Sequence, residues 1–257
     1  MMTENPLLYH VENQVATLTI NREKQRNSLT PQVIVQFMDC LDRAETDDQV
    51  RAIMVTGAGD KSFCSGADLG GAATEEGKDS FSRYADLLKR MAAYPKPTVA
   101  RVNGYCLAGG MGFMLSCDIV VARETAKFGT PEVNVGLFPM MIGALIFRNV
   151  MKKKGMEMVL LGEKLTAQEA LEMGLITRVV PFDKLDESVD RVLGALIAKS
   201  PIGLRLGKEA FHHMSDMPLN EAVDYLSGKL AEVVSTQDAV EGITAFIEKR
   251  KPAFKGK

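Results

Sequence analysis

The sequence lacks tryptophan and has few histidines and cysteines among its 257 residues. Its histidines are His10, His212 and His213, and its four cysteines form no CxxC pair, so we expect no metal site. Few, scattered thiols are typical of a reducing compartment, which favours a cytoplasmic location. The chain has neither the basic and apolar segments of a signal peptide nor a run long enough to span a membrane. We therefore expect no membrane association.

An excess of charge of either sign is also missing. The chain has 31 basic and 33 acidic side chains, and its formal net charge is −2. Nucleic-acid partners favour strongly basic surfaces, so none is expected here. Hydrophobic residues make up 46% of the chain and charged residues 25%, as in soluble globular proteins. This length suits one large domain, or one domain with a smaller part appended.

Common glycine motifs are absent although the chain contains 22 glycines. In "GMGFML" and "GAGDKS", Leu115 and Ser62 stand where a dinucleotide-binding GxGxxG motif needs its third glycine. Gly207 and Lys208 lack the upstream glycine of a phosphate-binding loop. The GxSxG motif of many serine hydrolases does not occur. These absences argue against the three corresponding sites.

The pattern of apolar residues predicts an α/β core. Runs of β-branched and aromatic residues indicate strands, and apolar residues at a spacing of three to four indicate helices. Strands are predicted in "LLYHVENQVATLTINR" (two, with a turn at Glu12-Asn13), "RAIMVTG", "TVARV" and "DIVVAR". Helices are predicted in "LTPQVIVQFMDCLDRAETDD", capped by Thr30, and around Phe81, Tyr84, Leu88 and Met91. The alternation of strands and helices is typical of α/β folds.

The second half of the chain is predicted to be mostly helical from about Pro139. Thr166 and Glu169 fit a capping box, and "LITRVVP" adds one short strand. From Phe182 onward only helices are predicted. We therefore divide the chain into a core, residues 1–185, and a helical region, residues 186–257. Such appended helices often mediate assembly.

Two segments rich in small residues follow predicted strands: "CSGAD" at 64–68 and "LAGGMG" at 107–112. Small residues allow backbone N–H groups to approach a ligand, and Gly109 and Gly110 would expose such groups if they open a helix. Two amides from separate loops could then hold one developing oxyanion. From the glycines alone, simple tight turns explain these segments equally well.

Several ordered motifs resemble those of the crotonase superfamily, the enoyl-CoA hydratase/isomerase family. They are "NREKQRNSLT", "SFCSGADL", "NGYCLAGG", "CDIVVA", "AKFGTPEVNVGL", "LTAQEALEMGLITRVVP" and "AFIEKRKPAF". The resemblance spans nearly the whole chain. It implies a spiral of ββα units followed by a helical trimerisation region, with two trimers usually stacked into a hexamer. It also implies an acyl-CoA substrate and no separate cofactor, because coenzyme A is part of the substrate.

The same resemblance implies the site residues. The backbone amides of Ala67 and Gly109 would form an oxyanion hole, and Glu132 matches a glutamate that supplies or removes the proton at Cα. An apolar pocket should raise the pKa of Glu132. Without the resemblance, a solvated glutamate is the plainer interpretation. The positions expected to contact substrate are Arg26, Ser65, Ala67, Asp68, Leu69, Gly109, Gly110, Gly112, Pro131 and Met140, with Arg26 directed to the CoA phosphates.

Two departures from the family pattern leave the reaction open. Family hydratases carry a second glutamate, and its position here holds Gly112. A glycine-rich segment is replaced by Met140, Met141 and Ile142, which either reshape the acyl pocket or simply pack in the core.

One glutamate is compatible with hydration of a 2-enoyl-CoA or with a shift of the double bond from position 3 to position 2. An impaired homologue that only binds acyl-CoA, and a decarboxylase or thioester hydrolase on the same fold, are the alternatives. Cys64 and Cys106 lie beside the predicted loops, and they are interpreted as packing residues because no activating base is evident.

Overall fold

The computed structural model describes residues 5–67 and 75–257. Asp68 and Leu69, two positions expected to contact substrate, lie outside the described residues.

Within the described residues, the strands form one six-stranded and one four-stranded sheet. The strands are β1 (Leu7–Glu12), β2 (Val15–Ile20), β3 (Ala52–Gly57), β4 (Ser62–Cys64), β5 (Thr98–Val102), β6 (Tyr105–Leu107), β7 (Ile119–Arg123), β8 (Lys127–Gly129), β9 (Leu165–Thr166) and β10 (Arg178–Val180). The larger sheet has the order β1-β2-β3-β5-β7-β10, and the smaller sheet has the order β4-β6-β8-β9. Neighbouring strands run parallel except for the pairs β1/β2 and β8/β9.

Helices connect the strands and then continue to the end of the chain. They are α1 (Pro31–Thr46), α2 (Glu75–Ala92), α3 (Gly109–Leu115), α4 (Met140–Asn149), α5 (Lys152–Leu161), α6 (Ala167–Glu172), α7 (Leu185–Ile197), α8 (Pro201–Met214), α9 (Leu219–Val234) and α10 (Gln237–Ile247). Short 3-10 helices cover Glu23–Gln25, Pro131–Val135 and Phe182–Lys184.

Each element predicted from the sequence is present, and the mixed α/β class is confirmed. The Thr30 side chain accepts a hydrogen bond from the Val33 N–H at 3.3 Å, which caps α1. Thr166 and Glu169 form the capping box of α6. The turn between β1 and β2 lies at Asn13 and Gln14, one residue later than expected.

The smaller sheet was not predicted as a sheet. Its strands contain two or three residues each, which is too short for an alternating pattern to stand out. The strands pair only because the longer elements bring them together. This second sheet carries the loops of the candidate site described below.

Both faces of the larger sheet are covered. On one face the main core includes Phe37 of α1 and Phe113 of α3, whose rings meet edge to face at 4.9 Å. On the other face α7 packs Val189 and Val192 against Val99 of β5 and its neighbours. Burial on both faces explains why the central strands are apolar almost throughout.

The C-terminal helices pack less completely. Among the described residues of α9, only Ala222 is buried, whereas eight large apolar side chains on α9, α10 and the adjoining residues are more than half exposed. They are Leu219, Val223, Leu230, Val234, Val240, Ile243, Phe246 and Ile247. The division at residue 185 stays a prediction. No helix in the described part of the chain has the length and apolar character needed to cross a membrane.

Candidate active site

The two predicted amide loops lie side by side. Strands β4 and β6 are parallel neighbours, with Cys64 opposite Cys106, so the residues that follow them emerge at the same edge. Ala67 follows β4 and Gly109 follows β6. A Cβ atom placed on Gly109 would lie 3.5 Å from the Ala67 nitrogen. The structure therefore brings together the two backbone groups predicted for the oxyanion hole.

The three glycines of α3 have different reasons to be glycine. A Cβ on Gly110 would overlap the carbonyl oxygen of Cys64, so Gly110 permits close packing of α3 on β4. A Cβ on Gly112 would overlap the hydroxyl oxygen of Tyr84. A Cβ on Gly109 would make only ordinary contacts, the nearest at 3.4 Å. Packing thus accounts for Gly110 and Gly112 without substrate, and their contact with substrate stays a prediction.

Ala108 adopts a strained backbone at this edge. Its φ of 51° and ψ of −128° lie outside the regions that L-residues favour. Its N–H donates to the Gly129 carbonyl at 2.9 Å, and its carbonyl accepts from the Met111 N–H at 2.8 Å. Such strain costs about 1–3 kcal/mol and persists where the surroundings enforce it. Nothing in the sequence pointed to this residue.

Glu132 reaches the same edge from the neighbouring strand. Strand β8 pairs with β6 through Gly129 and Leu107, and the 3-10 helix that follows β8 begins at Pro131. The carboxylate oxygen Oε2 of Glu132 is buried, and it has no hydrogen-bond partner among the described residues. Burial raises the pKa of Glu132, and its own backbone N–H opposes this in part.

Tyr84 of α2 also reaches this site, and no sequence motif predicts this. Its hydroxyl group donates to the Gly109 carbonyl, and its ring lies 5.9 Å from that of Phe113. Burial raises the pKa of Tyr84 well above its ordinary value, and the thiols of the nearby cysteines and the carboxylate of Glu132 raise it further. Helical spacing predicts only that Tyr84 lies on the apolar face of α2.

Other predicted positions surround this edge. The Arg26 side chain is exposed, and its carbonyl accepts a hydrogen bond from the Ser65 N–H at 3.2 Å. Met140 is 76% exposed at the start of α4, so it is not a core residue. The core-packing interpretation of the methionine segment therefore applies to Met141 and Ile142, which pack against or within the core.

The cysteines beside the loops are fully buried. Burial raises the pKa of Cys64 to about 12, and that of Cys106 well above its ordinary value. Burial disfavours the thiolate, the nucleophilic form of cysteine, at both positions, in agreement with a packing role. In the described parts of the chain, no cluster of three or more His, Cys, Asp or Glu side chains could hold a metal ion.

The chain is similar in sequence over nearly its whole length to a known enzyme family. The sequence model of the enoyl-CoA hydratase/isomerase family matches residues 10–257. The chain is 35% identical over 256 residues to 2,3-dehydroadipyl-CoA hydratase of Escherichia coli K12, covering 98% of this chain and 99% of that protein. It is 34% identical over 259 residues to 1,2-epoxyphenylacetyl-CoA isomerase of the same organism, covering 98% of both.

A solved structure is similar in fold over nearly the whole chain. The crystal structure of enoyl-CoA hydratase from Bacillus anthracis superposes with a TM-score of 0.94 at 31% identity, covering 98% of this chain and 100% of that chain. The chain thus belongs to the enoyl-CoA hydratase/isomerase family of the crotonase superfamily.

Proposed function

We propose that this enzyme moves a proton between two carbons of an enoyl-CoA, shifting a double bond from position 3 to position 2. The N–H groups of Ala67 and Gly109 hold the thioester oxygen, and Glu132 is the acid and base. The observation that carries this proposal is the buried, unpartnered Oε2 atom of Glu132 at the edge where the two amides meet. Position 112 is glycine and provides no second carboxylate.

The proton balance needs only one carboxylate. Glu132 takes a proton from Cα of the 3-enoyl thioester, and the C–H electron pair is delocalised onto the thioester oxygen as a dienolate. The two amides stabilise this oxygen, and each such donor contributes roughly 10²–10³ in rate. Glu132 then returns the same proton to Cγ, which leaves the double bond at position 2. A pKa raised by burial suits a group that both accepts and donates a proton.

Hydration of a 2-enoyl-CoA is the second candidate reaction. The names of similar proteins include both hydratases and an isomerase, so similarity alone leaves the choice open. Hydration with Glu132 alone requires this carboxylate to manage both the attacking water and the Cα proton. We therefore expect hydration to be slower than the double-bond shift.

The substrate would lie across the edge described above. The exposed Arg26 is placed beside Ser65, where it can meet the CoA phosphates. The apolar Leu137, Phe138 and Met140 are exposed next to Glu132 and would face the acyl chain. We also propose that the same substrate contacts Asp68, Leu69, Gly110, Gly112 and Pro131, as the family resemblance implies.

We also propose that the enzyme is a cytoplasmic homotrimer, or a hexamer of two trimers. The exposed apolar side chains of α9 and α10 support this, because large exposed apolar patches are typical of interfaces. Light scattering should give three or six times the chain mass of 28.1 kDa. A monomer would contradict the proposed role of these helices.

Turnover of defined thioesters tests the reaction. Purified enzyme should convert 3-hexenoyl-CoA to 2-hexenoyl-CoA faster than it hydrates crotonyl-CoA, both followed by the absorbance of the conjugated thioester. Binding of acyl-CoA without turnover would instead identify an impaired homologue. Release of free CoA thiol from acyl-CoA esters would identify a hydrolase, and loss of CO₂ from a malonyl-type thioester would identify a decarboxylase.

A further inference from the structure

Tyr84 and position 112 compete for the same space. A Cβ atom on Gly112 would overlap the Tyr84 hydroxyl oxygen, and it would come within 2.7 Å of the Ile142 side chain. The Tyr84 ring is buried against Phe113, which is itself packed on Phe37, so the ring has little freedom to swing aside. The tyrosine and a side chain at position 112 therefore exclude each other in this arrangement.

The Tyr84 hydroxyl group is also tied to the oxyanion loop. It donates to the carbonyl of Gly109, the residue whose N–H group is proposed to bind the thioester oxygen. Tyr84 is 7% exposed, and its pKa is raised well above the ordinary value, so the group stays neutral. A neutral phenol that already donates its proton to a carbonyl has no capacity to deprotonate water.

We propose that Tyr84 takes the place of a second acid in this site. It holds the Gly109 turn through its hydroxyl group, and it fills the space beside position 112, so that Glu132 is the only described base at the substrate. This inference rests on the proposed function. Tyr84 is then a positioning residue that also selects the reaction: proton transfer between carbons is retained, and addition of water is disfavoured.

The two reactions differ in the proton transfers that they require. In hydration, a water O–H bond breaks as its oxygen bonds to C3, and a base must take that proton while Cα receives another. In the double-bond shift, one proton leaves Cα and the same proton returns at Cγ. With Tyr84 neutral, Glu132 can carry out the second reaction without help, whereas water has no dedicated base.

Two phenylalanine substitutions separate positioning from general stability. Tyr94 is a matched control, because its fully buried hydroxyl group also donates to a backbone carbonyl, that of Leu41 at 2.7 Å. Both Tyr84→Phe and Tyr94→Phe should lower the melting temperature similarly. Only Tyr84→Phe should lower kcat for 3-hexenoyl-CoA, by about tenfold, the equivalent of one lost hydrogen bond, with KM within about twofold. Equal kcat values in the two variants would overturn the positioning role.

A spectroscopic probe keeps this test independent of turnover. Acetoacetyl-CoA ionises to an enolate whose ultraviolet absorbance grows when an oxyanion hole stabilises it. Tyr84→Phe should reduce the bound enolate fraction, and Tyr94→Phe should leave it unchanged. If the wild type turned over no enoyl-CoA, the proposed function would fail, yet this absorbance would still decide whether Tyr84 holds the amide loop.

Restoring a carboxylate tests the choice of reaction. Gly112→Glu alone should gain no hydration of crotonyl-CoA, because Tyr84 blocks the new side chain. Tyr84→Ala/Gly112→Glu should hydrate crotonyl-CoA at least about tenfold faster than the wild type, as expected for an added general base. Equal hydration by the single and double variants would show that Tyr84 does not exclude the acid. Should the double variant not fold, the Tyr84→Phe and Tyr94→Phe pair decides the proposal.

Discussion

The candidate site has an amide side, formed by the loops that carry Ala67 and Gly109, and a carboxylate side, formed by Glu132. The two sides are built in different ways. On the amide side, Gly110 lies so close to Cys64 that no side chain fits, and the proposed functional groups are backbone N–H groups. On the carboxylate side, the proposed functional group is the side chain of Glu132. Leu137 and Met140, which follow it in the chain, are 49% and 76% exposed. The position of the amides therefore depends on the packing of the fold, whereas the proposed acid is a single side chain that can be replaced. Substitutions on the two sides should separate rate from stability.

The largest effect on rate is expected on the carboxylate side. Glu132→Gln keeps the shape of the side chain but removes the base, so kcat for enoyl-CoA should fall at least about 100-fold, within the usual range for general acid–base catalysis. The melting temperature should not fall, because the carboxylate oxygen Oε2 is buried without a partner. Glu172→Gln, an exposed change on α6, is the control and should leave kcat unchanged. An unchanged kcat in Glu132→Gln would remove Glu132 from the mechanism.

The largest effect on stability is expected on the amide side. Gly110→Ala forces a methyl group onto the Cys64 backbone and should lower the free energy of unfolding by about 3 kcal/mol, the upper end of overpacking costs. Gly194→Ala in α7 is the matched control. It has no atom within 4 Å of the added Cβ, so it should raise stability by roughly 0.5–1 kcal/mol. Chemical denaturation measures both, and equal effects would contradict the tight contact of α3 with β4.

The pH dependence of activity and of stability gives a further test of the carboxylate side. Its pKa is raised by burial, so the fall in kcat/KM at low pH should have its midpoint above the ordinary glutamate pKa. A carboxyl group whose pKa is higher in the folded state than in the unfolded state raises the free energy of unfolding at pH values below the unfolded-state pKa. This contribution is lost as the pH rises through the folded-state pKa. The stability of the wild type relative to Glu132→Gln should thus decrease between those two pH values. A relative stability that increased with pH would indicate a lowered pKa and a paired carboxylate.

The smallest expected effect concerns the strained residue on the amide side. Ala108→Gly should raise the free energy of unfolding by about 1 kcal/mol, because relief of an unfavourable positive φ exceeds the entropic cost of glycine. Ala231→Gly, in the exposed interior of α9, should lower it by about 1 kcal/mol. Thermal unfolding of the two variants compares them directly. Destabilisation of both by similar amounts would show that Ala108 carries no strain.

Much of the fold could be predicted from the sequence. The long strands and the helices each carry their own apolar pattern and capping residues, as Thr30 and Thr166 show. The smaller sheet could not be predicted as a sheet, because strands of two or three residues contain too few residues for a pattern. The segments 64–68 and 107–112 are predicted as site loops from their small residues and from family resemblance. Only the pairing of β4 with β6 explains why they meet.

The glycines show what pattern recognition misses. From the sequence, Gly109 and Gly110 are interpreted as one functional pair. Gly112 is interpreted only as the position where family hydratases carry a second glutamate. In the structure, Gly110 is required by the backbone of Cys64, Gly112 by the hydroxyl group of Tyr84, and Gly109 by no contact within the described protein. Gly112 lies 28 residues after Tyr84 in the sequence, so no local spacing relates the two.

The sequence by itself determined the secondary structure of the long elements and the family, and it predicted Glu132 as the single acid that matches the family pattern. These properties depend on local patterns, or on motifs that keep their order along the chain. Only the tertiary structure decided that Ala67, Gly109, Glu132 and Tyr84 share one edge, and that Tyr84 occupies the space beside Gly112. The physical reason is that burial, close approach and hydrogen bonding between distant segments arise from packing, which no short stretch of sequence specifies alone.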